Sequence, residues 1–534
     1  MVETSLFPQS VQKLVQTYEQ PLPNLEAAPG LPRIKLNEVI GKVAYFYEKL
    51  RNSIEFNEEH LLRRNAIERI LRRRYLVENR AMVNARLLIH ELIRGRYLPN
   101  DTLPETIVEV VQNYVDRYLS LLDHLQLKRT NPEDRRHIRW LLSVASADLE
   151  ERLAPSTRQD ALVEVMYATI RSSLVLPENI PAGQEQDVLV YLAIHRSLIK
   201  SDDAVLRYHL FKWAYPQWEH PNHAVTEQVR EKFPKLVESI EARISHPLSE
   251  RLLVICRRYT IPFTILADVV REKGGAEARL LLQQPAALQQ AVEDAMRTKL
   301  KTARTRLRRT SVRSIIYIFI TKMMLALAIE LPYEIFVLRE RALMPIYINS
   351  IFHPILMFTI ALSARLPGKE NTALVVQAVN EIVHPSAPRN IFGARLRPRP
   401  RSKVRSFFFY IFYFATFVVT FGAIVWGLSA LQFNWLSIVV FIFFLSVISL
   451  FGTRVRGIAR ELTLRDRREN LFLLLLSSFS LPILRLGQWF SKKVPKVNFI
   501  VFFLDFVIEA PFKMFVEAVD EWFSFLKEKR EEIS

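Results

Sequence analysis

The sequence predicts an all-α protein in which a multi-helix cytoplasmic domain precedes a helical membrane domain with amphipathic C-terminal helices. Three observations support this fold class. Glycine is scarce, at 13 of 534 residues, and no stretch convincingly alternates apolar and polar residues, which disfavours sheets. Apolar residues in the first part of the chain recur at helical spacing. Residues 406–453 contain no Asp, Glu, Lys, Arg or His.

The composition limits the compartment and the class of partner. The formal net charge of +18 predicts attraction to anionic partners, for which nucleic acid and an anionic membrane leaflet are the obvious candidates. Cys256 is the only cysteine, which excludes an intrachain disulfide and a multi-cysteine zinc site and fits a reducing compartment. The N-terminal residues lack the charged start, apolar core and cleavage site of a signal peptide.

Residues 1–33 are expected to form a Pro-rich N-terminal arm, because four prolines interrupt any helix there: Pro21, Pro23, Pro29 and Pro32. Residues 34–296 are expected to form the helical cytoplasmic domain. Within it, residues 57–93 have the apolar periodicity of one long helix. The sequence Asn131-Pro132-Glu133 predicts a helix start, because Asn is a favourable cap and Pro is suited to the first turn.

Residues 297–313 are predicted to form a polybasic helix beside the membrane. This segment contains eight basic residues and no acidic residue, and apolar sequence follows it directly. Lys and Arg near an anionic leaflet each contribute about 1 kcal/mol of attraction. We therefore expect lipid-headgroup contacts from Arg297, Lys299, Lys301, Arg304, Arg306, Arg308, Arg309 and Arg313. Nucleic-acid binding is the less favoured alternative.

Residues 314–364 are expected to form a first membrane hairpin. Its second half, residues 342–364, carries no charge except a possible one on His353 and is long enough to cross a hydrocarbon core of about 30 Å. Its first half contains Lys322, Glu330 and Glu334, and each charge costs a few kcal/mol at mid-bilayer. Basic clusters on both sides require zero or two crossings, and two are favoured over helices lying flat in the interface.

Charged side chains inside a membrane often mark transport or gating paths. If residues 314–364 cross the membrane, Lys322, Glu330 and His353 are intramembrane charges and need polar partners or water. If this segment lies flat, the same side chains face solvent instead. The sequence leaves both alternatives open.

Residues 365–405 are expected to form a basic cytoplasmic linker before a transmembrane hairpin at residues 406–453. As one helix, this uncharged stretch would be about 72 Å long, which suits two crossings with a break at residues 431–435. A hairpin buried in a large soluble core is the alternative. Basic residues on both sides predict cytoplasmic ends. We expect further headgroup contacts from Arg397, Arg399, Arg401, Lys403 and Arg405.

Residues 454–534 are expected to contain amphipathic helices at the membrane surface. Between residues 497 and 525 a series of charged residues recurs at every fourth position, from Asp505 to Glu521, and phenylalanines occupy the opposite helical face. A helix packed on the cytoplasmic domain would have the same pattern. The complete pattern predicts a multi-pass protein of the cell membrane with cytoplasmic N- and C-termini.

No catalytic, cofactor-binding or metal motif is recognisable, so enzymatic activity is disfavoured and no cofactor is expected. For example, Arg94 occupies the position of the second histidine in a zinc-protease helix that would begin at His90. The favoured function is a membrane-anchored scaffold or adaptor that binds a protein partner or anionic lipid through its cytoplasmic domain. A small transporter or channel and a membrane-bound lipid-acting enzyme are the alternatives. Homo-oligomerisation is compatible with each.

Overall fold

The computed structural model describes residues 7–20, 32–36, 59–76, 83–176, 183–219, 223–338, 343–385, 391–395, 403–464, 471–493 and 522. Helices account for most of these residues, which confirms the all-α prediction. The strands in the described ranges are β1 (Leu174–Val175) and β2 (Ala394–Arg395), which form one short parallel pair.

The described part of the chain before residue 283 contains twelve α-helices. A π-helical turn, His195–Ile199, follows the seventh of them directly. In chain order they are α1 (Gln9–Glu19), α2 (Glu59–Leu76), α3 (Ala85–Arg94), α4 (Thr106–His124), α5 (Pro132–Leu153), α6 (Thr157–Arg171), α7 (Gln184–Ile194), α8 (Asp203–Ala214), α9 (His223–Ile244), α10 (Ser249–Arg258), α11 (Thr260–Lys273) and α12 (Gly275–Leu282).

Six longer or more apolar helices follow among the described residues. They are α13 (Pro285–Leu325), α14 (Leu343–Ser363), α15 (Lys369–Val383), α16 (Lys403–Ala430), α17 (Trp435–Arg460) and α18 (Leu471–Lys493). The break between α16 and α17 lies at residues 431–434, where the sequence predicts it, and Gln432 has a left-handed backbone with φ of 64°.

Two hydrophobic clusters hold the first twelve helices together. The first cluster is formed mainly by α2–α5, α8 and α9, and it buries Phe211 and Phe233. The second cluster is formed mainly by α1, α6, α7, α10–α12, the start of α13 and α15, and it buries Phe263. Helix α7 contributes residues to both clusters and therefore lies between them. Burial of this many apolar side chains is typical of a packed helical core.

The N-terminal segment differs from the expected Pro-rich arm, because its first half is a packed helix. Val11, Leu14 and Val15 of α1 are buried in the second cluster, where α1 contacts α6 and α12. These residues have helical spacing, and the prolines at positions 21–32 come only after α1 has ended. Prolines therefore limit the length of this helix but do not prevent it.

The helix expected over residues 57–93 is divided into α2 and α3. The second of these begins at Ala85, where the Asn84 side chain accepts a hydrogen bond of 2.8 Å from the Arg86 N–H. The predicted start of α5 is confirmed, because the Asn131 side chain accepts a hydrogen bond of 3.1 Å from the Glu133 N–H. Side-chain caps of this kind satisfy N–H groups that the first helical turn leaves unpaired.

Helix α13 joins the second cluster to the apolar helices without a break. Its first half buries Leu288 and Met296 in the second cluster, and its second half packs on α14 and α17. Two π-helical turns, Ala326–Glu330 and Tyr333–Leu338, extend it on either side of Pro332. Proline has no N–H to donate and its ring clashes with the preceding turn, which accounts for the irregular helix here.

Three stretches of the described chain are long and apolar enough to cross a membrane: Pro285–Val337, Phe407–Ala430 and Trp435–Arg460. Helix α14 contains a further, shorter apolar stretch at Tyr347–Ser363. These helices expose many large apolar side chains, including Phe336 and Trp426, which are 78% and 77% exposed. Large contiguous apolar surfaces are unfavourable in water. The pattern therefore indicates a membrane protein.

The segment expected to be a basic linker, residues 365–405, contains a packed helix. Val375, Val379 and Ile382 of α15 are buried in the second cluster, because apolar residues recur on one face between Lys369 and Val383. The basic residues that characterise this segment lie mostly after α15, from residue 389 onward. The interpretation as a linker therefore does not hold for its first half.

Helix α18 packs along α17 and also contacts α16. Gly487 of α18 lies so close to the backbone carbonyl of Ser446 that a side chain at this position would clash. Small residues allow this kind of close approach between apolar helices. The amphipathic pattern predicted for residues 497–525 lies outside the described residues, apart from Trp522.

Candidate functional site

A buried ion pair lies between the apolar helices. Lys322 is near the end of α13, and Glu330 is in the π-helical turn that follows. Both side chains are fully buried, and Lys322 Nζ lies 2.5 Å from Glu330 Oε1. The ammonium is also 5.0 Å from the centroid of the Phe444 ring on α17. Since an isolated charge is very costly in an apolar interior, each of these groups depends on the other.

Two polar residues of α14 extend this ion pair. Asn349 Nδ2 donates a hydrogen bond of 2.8 Å to Glu330 Oε2, so both carboxylate oxygens have a partner. His353 lies one turn further along α14, and its Nδ1 is 2.8 Å from the Asn349 carbonyl oxygen. Its Nε2 is 3.2 Å from the carbonyl oxygen of Phe441 on α17. The structure thus brings together Lys322, Glu330 and His353, the three predicted intramembrane charges.

Three buried polar atoms beside this cluster have no hydrogen-bond partner within the described part of the protein. They are Asn349 Oδ1, Ser350 Oγ and Ser437 Oγ. Their residues are at most 6% exposed. Asn349 lies one helical turn before His353 on α14, and Ser437 lies one helical turn before Phe441 on α17. A buried unsatisfied polar group costs about 1–3 kcal/mol, so these atoms are suited to hold water.

A second polar contact lies where α13 meets the start of α17. Asn434 Nδ2 donates a hydrogen bond of 3.3 Å to Glu334 Oε1, and Asn434 Oδ1 caps α17 by accepting from the Ser437 N–H. Trp435 Nε1 donates a hydrogen bond of 2.6 Å to the Tyr333 hydroxyl. Both contacts fix the end of the extended α13 helix against α17. Glu334 is therefore paired separately from the Lys322–Glu330 ion pair.

The sequence identified the charged residues of this site but not their polar neighbours. Asn349 and His353 are four residues apart in a largely apolar stretch, and this spacing is a signal for polar residues on one helical face. Ser350 and Ser437 have no such signal, because serine is common in apolar helices. Their role depends on contacts between α14 and α17 that sequence periodicity does not contain.

The polybasic part of α13 forms an exposed surface between the second cluster and the apolar helices. Two of its eight basic residues are paired: Arg297 with Asp294 at 3.3 Å, and Lys299 with Asp268 at 2.6 Å. The other six are exposed and form no ion pair with any residue that the structure describes. We call these six residues the basic band: Lys301, Arg304, Arg306, Arg308, Arg309 and Arg313.

The basic band ends where exposed apolar residues begin. Val312 lies next to Arg313, the last residue of the band, and Ile316 and Tyr317 follow it as exposed large apolar side chains. Of the other predicted headgroup contacts, Lys403 and Arg405 belong to α16, and no side-chain position is described for them. Arg397, Arg399 and Arg401 lie outside the described residues. The structure therefore describes one basic surface of the two that the sequence predicts.

A buried histidine pair lies among the first twelve helices, where α7 and the π-helical turn after it meet α8. The ring centroids of His195 and His209 are 4.5 Å apart, and Tyr191 packs against both rings. Burial lowers the pKa of His209 to about 4, with Glu151 opposing this shift. Burial, and then the neighbouring His209, lower the pKa of His195 well below its usual value. Both imidazoles are therefore neutral in the folded protein at neutral pH.

We expect His209→Gln to reduce the pH dependence of stability. The folded-state pKa of His209 is below its unfolded value, so its stabilising contribution is complete above about pH 6.5 and is lost as the pH falls. Between pH 7 and pH 5 the wild type should lose about 2 kcal/mol more than the variant. Denaturant unfolding at both pH values measures this difference. Burial raises the pKa of Asp160 to about 6, so this carboxyl makes the folded state more stable as the pH falls. Because Asp160 is present in both proteins, its effect cancels in the comparison.

The exposed residue His124 offers a matched control for this experiment. His124→Gln should leave the difference in stability between pH 7 and pH 5 unchanged. Equal pH dependence in the wild type and His209→Gln would contradict the assignment of a buried neutral imidazole.

The described residues contain no group of three or more His, Cys, Asp or Glu side chains that could hold a metal ion. Cys256 is buried, and burial raises the pKa of its thiol to about 12, so it is not an activated nucleophile. The polar cluster around Lys322 and the basic band are therefore the two candidate functional features of the structure. No protein-family model, curated protein or solved structure is significantly similar to this chain.

Proposed function

We propose that this protein is a membrane-anchored helical scaffold that binds anionic lipid headgroups through its basic band. In this proposal α13 and α14 form one transmembrane hairpin, α16 and α17 form a second, and both termini are cytoplasmic. The single observation that carries it is the continuity of α13, which extends from the second cluster through the basic band into the apolar helices.

The lengths of the helices are compatible with this topology. Helix α14 has 21 residues and would be about 32 Å long, which matches a hydrocarbon core of about 30 Å. The last turns of α17 contain the basic residues Arg454, Arg456 and Arg460, and by the positive-inside tendency they favour a cytoplasmic end. The basic band would occupy the same side, at the level of the headgroups.

The continuous helix α13 would give a scaffold a rigid connection between its water-soluble helices and the membrane. A flexible tether would let the water-soluble helices move freely, whereas a continuous helix holds them at a fixed distance from the bilayer. Two further contacts support this fixation. Lys200 pairs with Glu461, beyond α17, at 3.2 Å, and Asn371 of α15 bonds to the same segment. In this proposal the surfaces of α1–α12 are available to a protein partner.

The triple variant Arg304→Gln/Arg308→Gln/Arg309→Gln tests the proposal. Because each basic side chain contributes about 1 kcal/mol near an anionic surface, we expect this variant to bind anionic lipid at least tenfold more weakly. The full chain in a neutral detergent is titrated with phosphatidylglycerol or phosphatidylcholine, and bound lipid is counted by native mass spectrometry. The wild type should prefer phosphatidylglycerol, and added salt should reduce the preference.

A matched control removes the same charge from another helix. Arg135, Arg136 and Arg139 of α5 are exposed, and their replacement by Gln should change lipid binding less than twofold. Equal weakening in both triple variants would show that net charge, rather than the basic band, attracts the lipid. A wild type without preference for the anionic lipid would contradict the proposed function.

A further inference from the structure

The imidazole of His353 lies between two hydrogen-bond acceptors. Its Nδ1 faces the carbonyl oxygen of Asn349 at 2.8 Å, and its Nε2 faces that of Phe441 at 3.2 Å. A neutral imidazole has only one N–H and can donate to one of them, whereas an imidazolium donates to both. The backbone around His353 is therefore arranged to accept the protonated ring as well as the neutral one.

Glu330 can be compensated by either of two cations. Lys322 contacts one carboxylate oxygen directly, and Asn349 links the other oxygen to His353, because its side chain donates to Glu330 and its carbonyl faces the imidazole. With an ionised Glu330, the cluster is neutral when one proton is on Lys322 and equally neutral when that proton is on His353. Low-dielectric surroundings favour states without net charge, so these two arrangements can exchange.

The two nitrogen bases contact a common neighbour. Lys322 Nζ is 5.0 Å from the centroid of the Phe444 ring, and the His353 ring centroid is 5.7 Å from it. Asn349 Oδ1, Ser350 Oγ and Ser437 Oγ have no hydrogen-bond partner among the described residues, and they belong to the two helices that contact His353, α14 and α17. Water bound to such polar atoms can carry a proton between groups that do not touch.

We propose that Lys322, Glu330 and His353 form a proton-exchange site within the membrane helices. One proton leaves the Lys322 ammonium as the His353 imidazole gains one, and Glu330 stays ionised, so the net charge of the site does not change. The π-helical turn that contains Glu330 lies at this site, as is frequent for π-bulges. The proposal does not depend on lipid binding by the basic band, and it is compatible with a proton-coupled activity.

The experiment uses the full chain in nanodiscs with ¹⁵N-labelled histidine. The His353 resonances are identified by their absence from the spectrum of His353→Gln. At pH 7 the wild type should have a neutral His353, with one protonated nitrogen. In Lys322→Met the positive charge required by Glu330 must come from His353, so the ratio of imidazolium to imidazole should rise at least tenfold. Lys322→Gln should have the same effect while keeping a hydrogen-bond donor for Glu330.

Two controls define the result. Glu330→Gln removes the negative charge and should leave His353 neutral. Ser446→Ala should also leave it neutral, because Ser446 is buried on α17 and its hydroxyl donates to the Ile442 carbonyl oxygen of the same helix. Circular dichroism and gel filtration verify folding of each variant. A neutral His353 in a folded Lys322→Met or Lys322→Gln protein overturns the proposal.

Discussion

The Glu330→Gln variant is expected to lose about 3–5 kcal/mol of its free energy of unfolding. Its carboxylate is the direct partner of the fully buried Lys322 ammonium, so the substitution leaves a cation without a counter-charge in an apolar interior. The loss should greatly exceed that of an exposed substitution, because solvent cannot screen this charge. Titration of the purified protein in mixed micelles with denaturing detergent measures the change.

Two control proteins make this result specific. Glu272 of α11 is exposed, and Glu272→Gln should change the free energy of unfolding by less than about 0.5 kcal/mol. In Lys322→Met/Glu330→Leu both charges are absent, and replacement of a buried pair by apolar residues of similar size is often nearly neutral. A Glu330→Gln protein as stable as the wild type would mean that Glu330 is not ionised in the folded state.

The Asn371→Leu variant is expected to be destabilised by about 2–4 kcal/mol. Asn371 Nδ2 donates to the Leu462 carbonyl oxygen and Asn371 Oδ1 accepts from the Leu464 N–H, both at 2.8 Å. Leucine has a similar size but would leave both backbone groups without their partner in a buried position. Thermal unfolding in detergent, followed by circular dichroism, measures this loss.

Gln377 lies on the same helix, α15, and is exposed, so Gln377→Leu is the matched control. Its midpoint of unfolding should equal that of the wild type, since it removes no buried hydrogen bond. If Asn371→Leu has the same midpoint too, the segment after α17 is not fixed to the second cluster by this side chain. The rigid connection would then depend on α13 and on the Lys200–Glu461 pair.

The sequence is sufficient for those parts of the fold that depend on local pattern. The uncharged residues 406–453 predict two apolar helices with a break near Gln432, and α16 and α17 have this arrangement. Asn131 predicts the start of α5 because a cap needs only its own neighbours along the chain. The charges at Lys322, Glu330 and His353 are noticeable in the sequence because they interrupt apolar stretches.

The remaining features depend on contacts between distant parts of the chain. Helix α1 is short and precedes several prolines, and only its packing on α6 and α12 makes it part of the core. The Asn371 contact joins residues that are 91 and 93 positions apart. The Phe441 carbonyl oxygen lies near His353 because α14 and α17 pack against each other. Periodicity along one helix contains no information about such pairs.

The most direct test of the account is cysteine labelling from the two sides of the membrane. Single cysteines at Arg341, Leu431 and Lys369 are treated with a membrane-impermeant maleimide in intact cells and again after permeabilisation; the native Cys256 is buried. We predict that positions 341 and 431 react in intact cells and that position 369 reacts only after permeabilisation. Labelling of position 369 in intact cells, or protection of position 431, would contradict the proposed four-crossing arrangement.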